Sequence, residues 1–170
     1  ASMRTRIPIL ANGPERSKVR LVLAHGAGAP MDSEFMETVA AGLAAQGLRV
    51  FRFEFPYMRA RRETGLRRPP DRQPVLLDTW REVVGQLGGG DQLFIGGKSM
   101  GGRMASLVAD GLGVRGLVCL GYPFHPPGRG DRPRVEHLAA LRTPALIVQG
   151  TRDPFGRPAE VARYRLAPTI

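Results

Sequence analysis

Short runs of apolar residues recur along the chain. Between them lie segments whose apolar positions return every three or four residues. The runs are Val19-Arg20-Leu21-Val22-Leu23-Ala24, Gln92-Leu93-Phe94-Ile95, Gly116-Leu117-Val118-Cys119-Leu120-Gly121 and Pro144-Ala145-Leu146-Ile147-Val148-Gln149-Gly150. Each reads as a strand, and so does the alternating Arg49-Val50-Phe51-Arg52-Phe53. Unbroken apolar strands suit a parallel sheet buried on both faces. The intervening segments read as helices. Phe35, Met36, Val39, Ala40 and Leu43 share one face, with Asp32 or Ser33 as cap and Gly47 as stop. Leu76, Leu77, Trp80, Val83, Val84 and Leu87 form a second apolar face within 75–87, ahead of Gly88-Gly89-Gly90. Residues 103–110, 135–141 and 158–165 complete the helical set, the last with Pro158 in its first turn. Residues 6–10 suit an edge strand, where proline is tolerated. Asn12-Gly13-Pro14-Glu15 reads as a turn, and the proline- and arginine-rich residues 54–74 as a long loop.

Strands alternating with helices predict an α/β fold: one domain over residues 1–170, with a mostly parallel central sheet and helices on both faces. The expected spatial order of strands is 6–10, 50–53, 21–24, 93–95, 117–120, 146–148, all parallel, with the direction of the first left open. Ligands in such sheets bind beyond the carboxyl ends of the strands. The loops there are 25–30, 54–74, 122–128 and 151–156, together with the junction after Ile95, so all should border one site.

Composition narrows the class. The chain has 170 residues, 42% hydrophobic and 24% charged, which suits one globular domain. No apolar run reaches a membrane span and no signal-peptide pattern opens the chain. Ala1-Ser2 ahead of Met3 reads as a cloning remnant. Cys119 is the only cysteine, so no internal disulfide forms; a reducing, cytoplasmic location is expected. The net charge of +10 comes from 23 arginines and two lysines set against 15 acidic residues. That balance permits a polyanion, but no zinc-finger, helix-turn-helix or aromatic RNA-binding pattern accompanies it. Nucleic acid and membrane are therefore not expected partners.

The candidate chemistry lies in Gly96-Gly97-Lys98-Ser99-Met100-Gly101-Gly102, between a strand and a helix. Gly97-x-Ser99-x-Gly101 at a strand-to-helix junction has the context a nucleophile elbow needs, the competing reading being a glycine-rich turn with an incidental serine. Side chains two positions either side of the serine would collide with the neighbouring strand and helix. Glycine there frees the turn to lift the hydroxyl clear. The helix starts at the serine, so its unpaired N–H groups face developing negative charge.

These pieces resemble the α/β-hydrolase superfamily, in particular its small, lidless dienelactone-hydrolase-like serine hydrolases. The resemblance rests on Leu23-Ala24-His25-Gly26-Ala27-Gly28, the elbow and Gln149-Gly150-Thr151-Arg152-Asp153-Pro154, in that order. It implies the α/β-hydrolase fold, with Ser99 as nucleophile and Asp153 as the acid that orients a histidine. The backbone N–H groups of Met100 and Ala27 would hold the oxyanion. His25, Tyr57, Tyr122 and His125 fall in the same loops as candidate substrate-lining residues, with His25 also organising its loop. No metal or organic cofactor is implied. Dienelactone hydrolase itself has cysteine at the nucleophile position, where this chain has serine. Its particular lactone is therefore not carried over.

The family order is serine, acid, histidine, and no histidine follows Asp153. The expectation is that the chain lacks its C-terminal strand and the loop carrying the catalytic histidine beyond residue 170. His125 is the substitute candidate, with His137 behind it. Asp153 could instead cap the following helix, and Cys119 reads as a core thiol. Arg59, Arg61, Arg62, Arg67, Arg68 and Arg72 crowd one loop, where they could hold an anionic ligand or pair locally with Glu63 and Asp71. The resulting expectation is a serine hydrolase of an ester, thioester or small amide acting on a small acyl substrate. The alternative is a non-catalytic relative that binds a protein or nucleic-acid partner through the arginine loop.

Overall fold

The computed structural model describes residues 6–129 and 134–170. The reading of Ala1-Ser2 lies outside them. Six strands form one sheet: β1 (Ile9–Asn12), β2 (Arg20–Ala24), β3 (Arg49–Phe53), β4 (Leu93–Lys98), β5 (Gly116–Leu120) and β6 (Ala145–Val148). Their order is β1-β3-β2-β4-β5-β6. β1 runs antiparallel to β3 and every other pairing is parallel. This is the expected order, with β4 and its elbow in the interior of the sheet. The first strand is shifted: Asn12, read as a turn residue, pairs with Val50 inside β1.

Alternation along the strands sorts side chains to two faces. Leu21 and Leu23 of β2 and Val50 of β3 meet Met36 and Ala40 of α1 (Glu34–Ala45). Val22, Ala24, Phe51 and Phe53 point the other way. There they join the larger core with α2 (Pro56–Thr64), α3 (Gln73–Gln86) and α4 (Met100–Leu112). Ser33 caps α1 by accepting the Met36 N–H at 3.4 Å. Trp80 of α3 is fully buried at the centre of the larger core. Its ring meets Phe53 edge-on at 4.8 Å, and its indole N–H donates to the Gly101 carbonyl at 3.3 Å. α3 is thereby tied to the helix that starts at the elbow.

Three helical expectations change. Residues 54–74 are not a single loop, because α2 occupies Pro56–Thr64. Pro56 sits in its first turn, Gly65 ends it at φ 73°, and Tyr57 and Met58 are buried. The proline and the glycine that suggested a loop are its start and stop. Residues 136–140 form a 3₁₀ turn instead of an α-helix, and the final helix, α5, is only Pro158–Val161. β6 forms one sheet edge among the described strands, with Leu146 and Val148 exposed.

Candidate active site

The end of β4 and the start of α4 set the site. Ser99 lies between them at φ 50° and ψ −116°. It is the one non-glycine residue with positive φ among the described residues. Such a conformation costs about 1–3 kcal/mol and persists only where its surroundings impose it. Here the Ser99 N–H donates to the Leu120 carbonyl at 2.9 Å, and the Ser99 carbonyl accepts the Arg103 N–H at 3.0 Å. The neighbouring glycines are required by contact. A Cβ on Gly97 or Gly101 would strike the backbone of Ala24, and one on Gly101 would also strike the His25 carbonyl. One on Gly96 would strike the backbone of Val118.

A cavity of about 310 Å³ opens beside Ser99, bordered by Ala27, Met100, Arg103, Met104, Arg134 and Phe155. Met100 is the first residue of α4, so its N–H has no intrahelical acceptor. The Ala27 N–H donates to no described group. Both proposed oxyanion donors thus border the serine's cavity.

Residues behind this wall hold the loop that carries Ala27. His25 is fully buried. Its Nδ1 lies 2.6 Å from the Gly26 carbonyl and its Nε2 accepts the Phe55 N–H at 3.1 Å. The two contacts together assign a neutral ring protonated at Nδ1. Burial also pushes its pKa below the ordinary 6.5. The Tyr57 hydroxyl donates to the Ala27 carbonyl at 2.8 Å. Further along, Glu54 accepts the Met31 N–H at 3.2 Å and the Arg62 guanidinium at 2.8 Å, while Arg62 also pairs with Asp32. Arg61 donates to the Gly28 carbonyl at 3.2 Å, and Arg59 pairs with Glu63 at 3.2 Å. Three arginines of the crowded segment therefore have partners within the chain.

Asp153 stands beyond β6. One carboxylate oxygen accepts the Phe155 N–H at 2.9 Å, and the other lies against Gly121 at the end of β5. Ser99 binds Leu120, the residue before Gly121. Serine and aspartate therefore flank the same strand end. None of the chain's three histidines borders the cavity. His125 is buried, with Nε2 2.9 Å from Glu160 but off hydrogen-bond alignment. His137 lies 2.7 Å from the Ser106 hydroxyl. Tyr122 is fully buried and donates to the Arg134 carbonyl at 2.8 Å. His25, Tyr57, Tyr122 and His125 thus stand behind the lining. Burial pushes the Cys119 thiol up to about 12, which makes it an inert core group.

Sequence reading missed Arg103 and Arg134 at the cavity. For Arg103 a signal existed: it follows Ser99 by four residues, one helical turn. For Arg134 no local signal existed.

Residues 17–170 match the model of the alpha/beta hydrolase domain family. The chain belongs to this family. Solved structures agree in fold. A lidless α/β serine hydrolase from Xanthomonas campestris aligns at 20% identity and TM-score 0.68, over 91% of this chain and 70% of that one. An alpha-beta serine hydrolase homologue from Coxiella burnetii aligns at 19% and 0.70, over 91% and 73%. A hydrolase from the sediment metagenome of the Mar Chica lagoon aligns at 18% and 0.69, over 98% and 83%. Among the described residues no helix is long and apolar enough to cross a membrane, and no cluster of candidate metal ligands occurs.

Proposed function

We propose that this chain is a serine hydrolase of ester, thioester or small amide bonds. The observation that carries the reading is Ser99 in its imposed positive-φ turn, facing a cavity bordered by Met100 and Ala27. Ser99 Oγ attacks the substrate carbonyl. The negative charge formed on its oxygen is met by the N–H groups of Met100 and Ala27. A histidine takes the serine proton and returns it to the leaving group, and water then releases the acyl group by the reverse course. Asp153 orients that histidine. His25, Tyr57, Tyr122 and His125 shape the wall without touching the reacting atoms.

The three histidines of residues 1–170 are engaged elsewhere. None of them borders the Ser99 cavity, so none is assigned as the base; the order serine, acid, histidine places that residue after Asp153. Without a base, oxyanion stabilisation and binding still leave about 10³–10⁴-fold catalysis over water in triad-deleted proteases. The 170-residue chain is expected to cleave p-nitrophenyl acetate weakly. A form of the chain that supplies a histidine after Asp153 should be faster by orders of magnitude, and Ser99→Ala should abolish the difference. Full activity in the 170-residue chain, lost in His125→Ala, would move the base to His125. Equal activity in Ser99→Ala of the histidine-bearing form would favour the binding-protein alternative.

A further inference from the structure

Arginines that the fold buries are elsewhere given acceptors. Arg52 is 2% exposed and donates to Glu37, Asn12 and the Met31 carbonyl. Arg62 is held by Glu54 and Asp32. Arg103 differs. It borders the Ser99 cavity, and its Nε, like that of Arg52, is buried with no hydrogen-bond partner, but no carboxylate among the described residues pairs with the rest of its guanidinium. No carboxylate among the described residues lies within ion-pair distance of Arg103 or Arg134. The Tyr122 hydroxyl beside Arg103 favours its charged form, though less than burial opposes it. The second cation at the cavity is Arg134, whose charge opposes that of Arg103. Desolvation is the larger penalty on the Arg103 cation, and Arg134 adds to it. The cavity's one acidic lining residue, Asp71, already accepts the Tyr57 N–H at 2.9 Å.

Two part-buried cations bordering one cavity, with no carboxylate among the described residues in ion-pair range, are unfavourable until an anion enters. A guanidinium offers a planar pair of donors that matches an oxyacid group. Arg103 stands one helical turn beyond Ser99, so an anion held there would lie one substituent away from the reacting carbonyl.

We propose that Arg103 and Arg134 form an anion subsite within the Ser99 cavity, which selects substrates bearing a carboxylate or phosphate on their non-reacting part. This rests on the hydrolase reading for its place in a reaction, but not for its binding. The pair is distinct from the arginines of residues 59–72. Asp71 sets a limit on it: the ligand's anionic end faces the arginines and its uncharged part faces Asp71.

The test is direct binding of monomethyl glutarate and of phenyl phosphate to the folded chain, followed by calorimetry at low and high salt. Binding is expected in the wild type and in Ser99→Ala, and should weaken with salt. Roughly ten- to hundredfold loss is expected in Arg103→Gln and in Arg134→Gln, with partial recovery in Arg103→Lys. The loop variant Arg134→Gln keeps the test valid if Arg103→Gln unfolds α4. The tighter of the two probes identifies the oxyacid. A second arm compares kcat/KM for p-nitrophenyl hemiglutarate with that for p-nitrophenyl valerate. The anionic-to-neutral ratio should fall about tenfold or more in either variant. Absent binding in the wild type, or binding indifferent to both arginines, overturns the subsite. Intact anion binding with no Ser99-dependent hydrolysis in a form that supplies a histidine after Asp153 overturns the hydrolase reading and leaves the subsite standing.

Discussion

At the scale of residues, the account rests on close backbone contacts around Ser99. Gly101 sits in the first turn of α4, where alanine would gain about 1 kcal/mol of helix propensity. Its Cβ would meet the Ala24 carbonyl at 2.7 Å, backbone that cannot turn aside. Overpacking of this kind costs about 1–3 kcal/mol or more, so the steric cost prevails. Gly101→Ala is expected to lower stability by about 1–2 kcal/mol in urea denaturation and to abolish esterase activity. An unchanged midpoint with full activity would mean that α4 can slide away from β2. A second prediction concerns His25. Its folded pKa is depressed, so the unfolded chain takes up a proton first as pH falls. Its stabilising contribution is complete above the ordinary pKa of about 6.5 and is lost below it, at up to about 1.4 kcal/mol per pH unit for one proton. His137, whose pKa is also lowered by burial, acts with the same sign. Denaturation at pH 7.5, 6.5 and 5.5 should show declining stability, and His25→Gln should flatten the slope. Asp32 and Asp110 have carboxyls held below their usual range, so they act only at more acidic pH. Stability that rises between pH 6.5 and 5.5 would contradict the neutral-ring assignment.

At the scale of elements, the sequence showed the strands and hid the small helices. β2, β4 and β5 were legible because strands buried on both faces can hardly be anything but apolar. The elbow was legible because glycine spacing there is a local steric requirement. α2 was not, since its outward face is arginine and only Tyr57 and Met58 are buried. Its proline start and Gly65 stop are nine residues apart and resemble loop punctuation. The supports of the Ala27 loop were equally hidden, because His25, Phe55 and Tyr57 meet only after folding. Asp153 was legible as an acid after a strand, whereas its position against Gly121 depends on the pairing of β5 with β6. α2 nevertheless holds the Ala27 loop, the proposed source of one oxyanion donor, through Tyr57. Tyr57→Phe should lose about 1 kcal/mol of stability, typical of one hydrogen bond. It should also lower kcat severalfold with little change in KM, because the donor misaligns only toward the transition state. A rise in KM with kcat unchanged would make Tyr57 a ground-state binding residue instead.

At the scale of the whole molecule, two openings compete for attention. The larger, about 570 Å³, lies on the α1 side of the sheet between Phe35, Val39, Leu146 and Val148. It is apolar, and Lys98, stacked over Phe35 at 4.7 Å, is its one charged lining group. No nucleophile reaches it. The smaller cavity holds Ser99, both oxyanion candidates and the two arginines. Chemistry outweighs volume, and the proposed reaction is placed there. The most direct measurement is mass spectrometry of the chain after exposure to a fluorophosphonate. The account predicts one adduct per chain, on the peptide containing Ser99, formed slowly and absent from folded Ser99→Ala. An adduct on another residue, or equal labelling of Ser99→Ala, would contradict it.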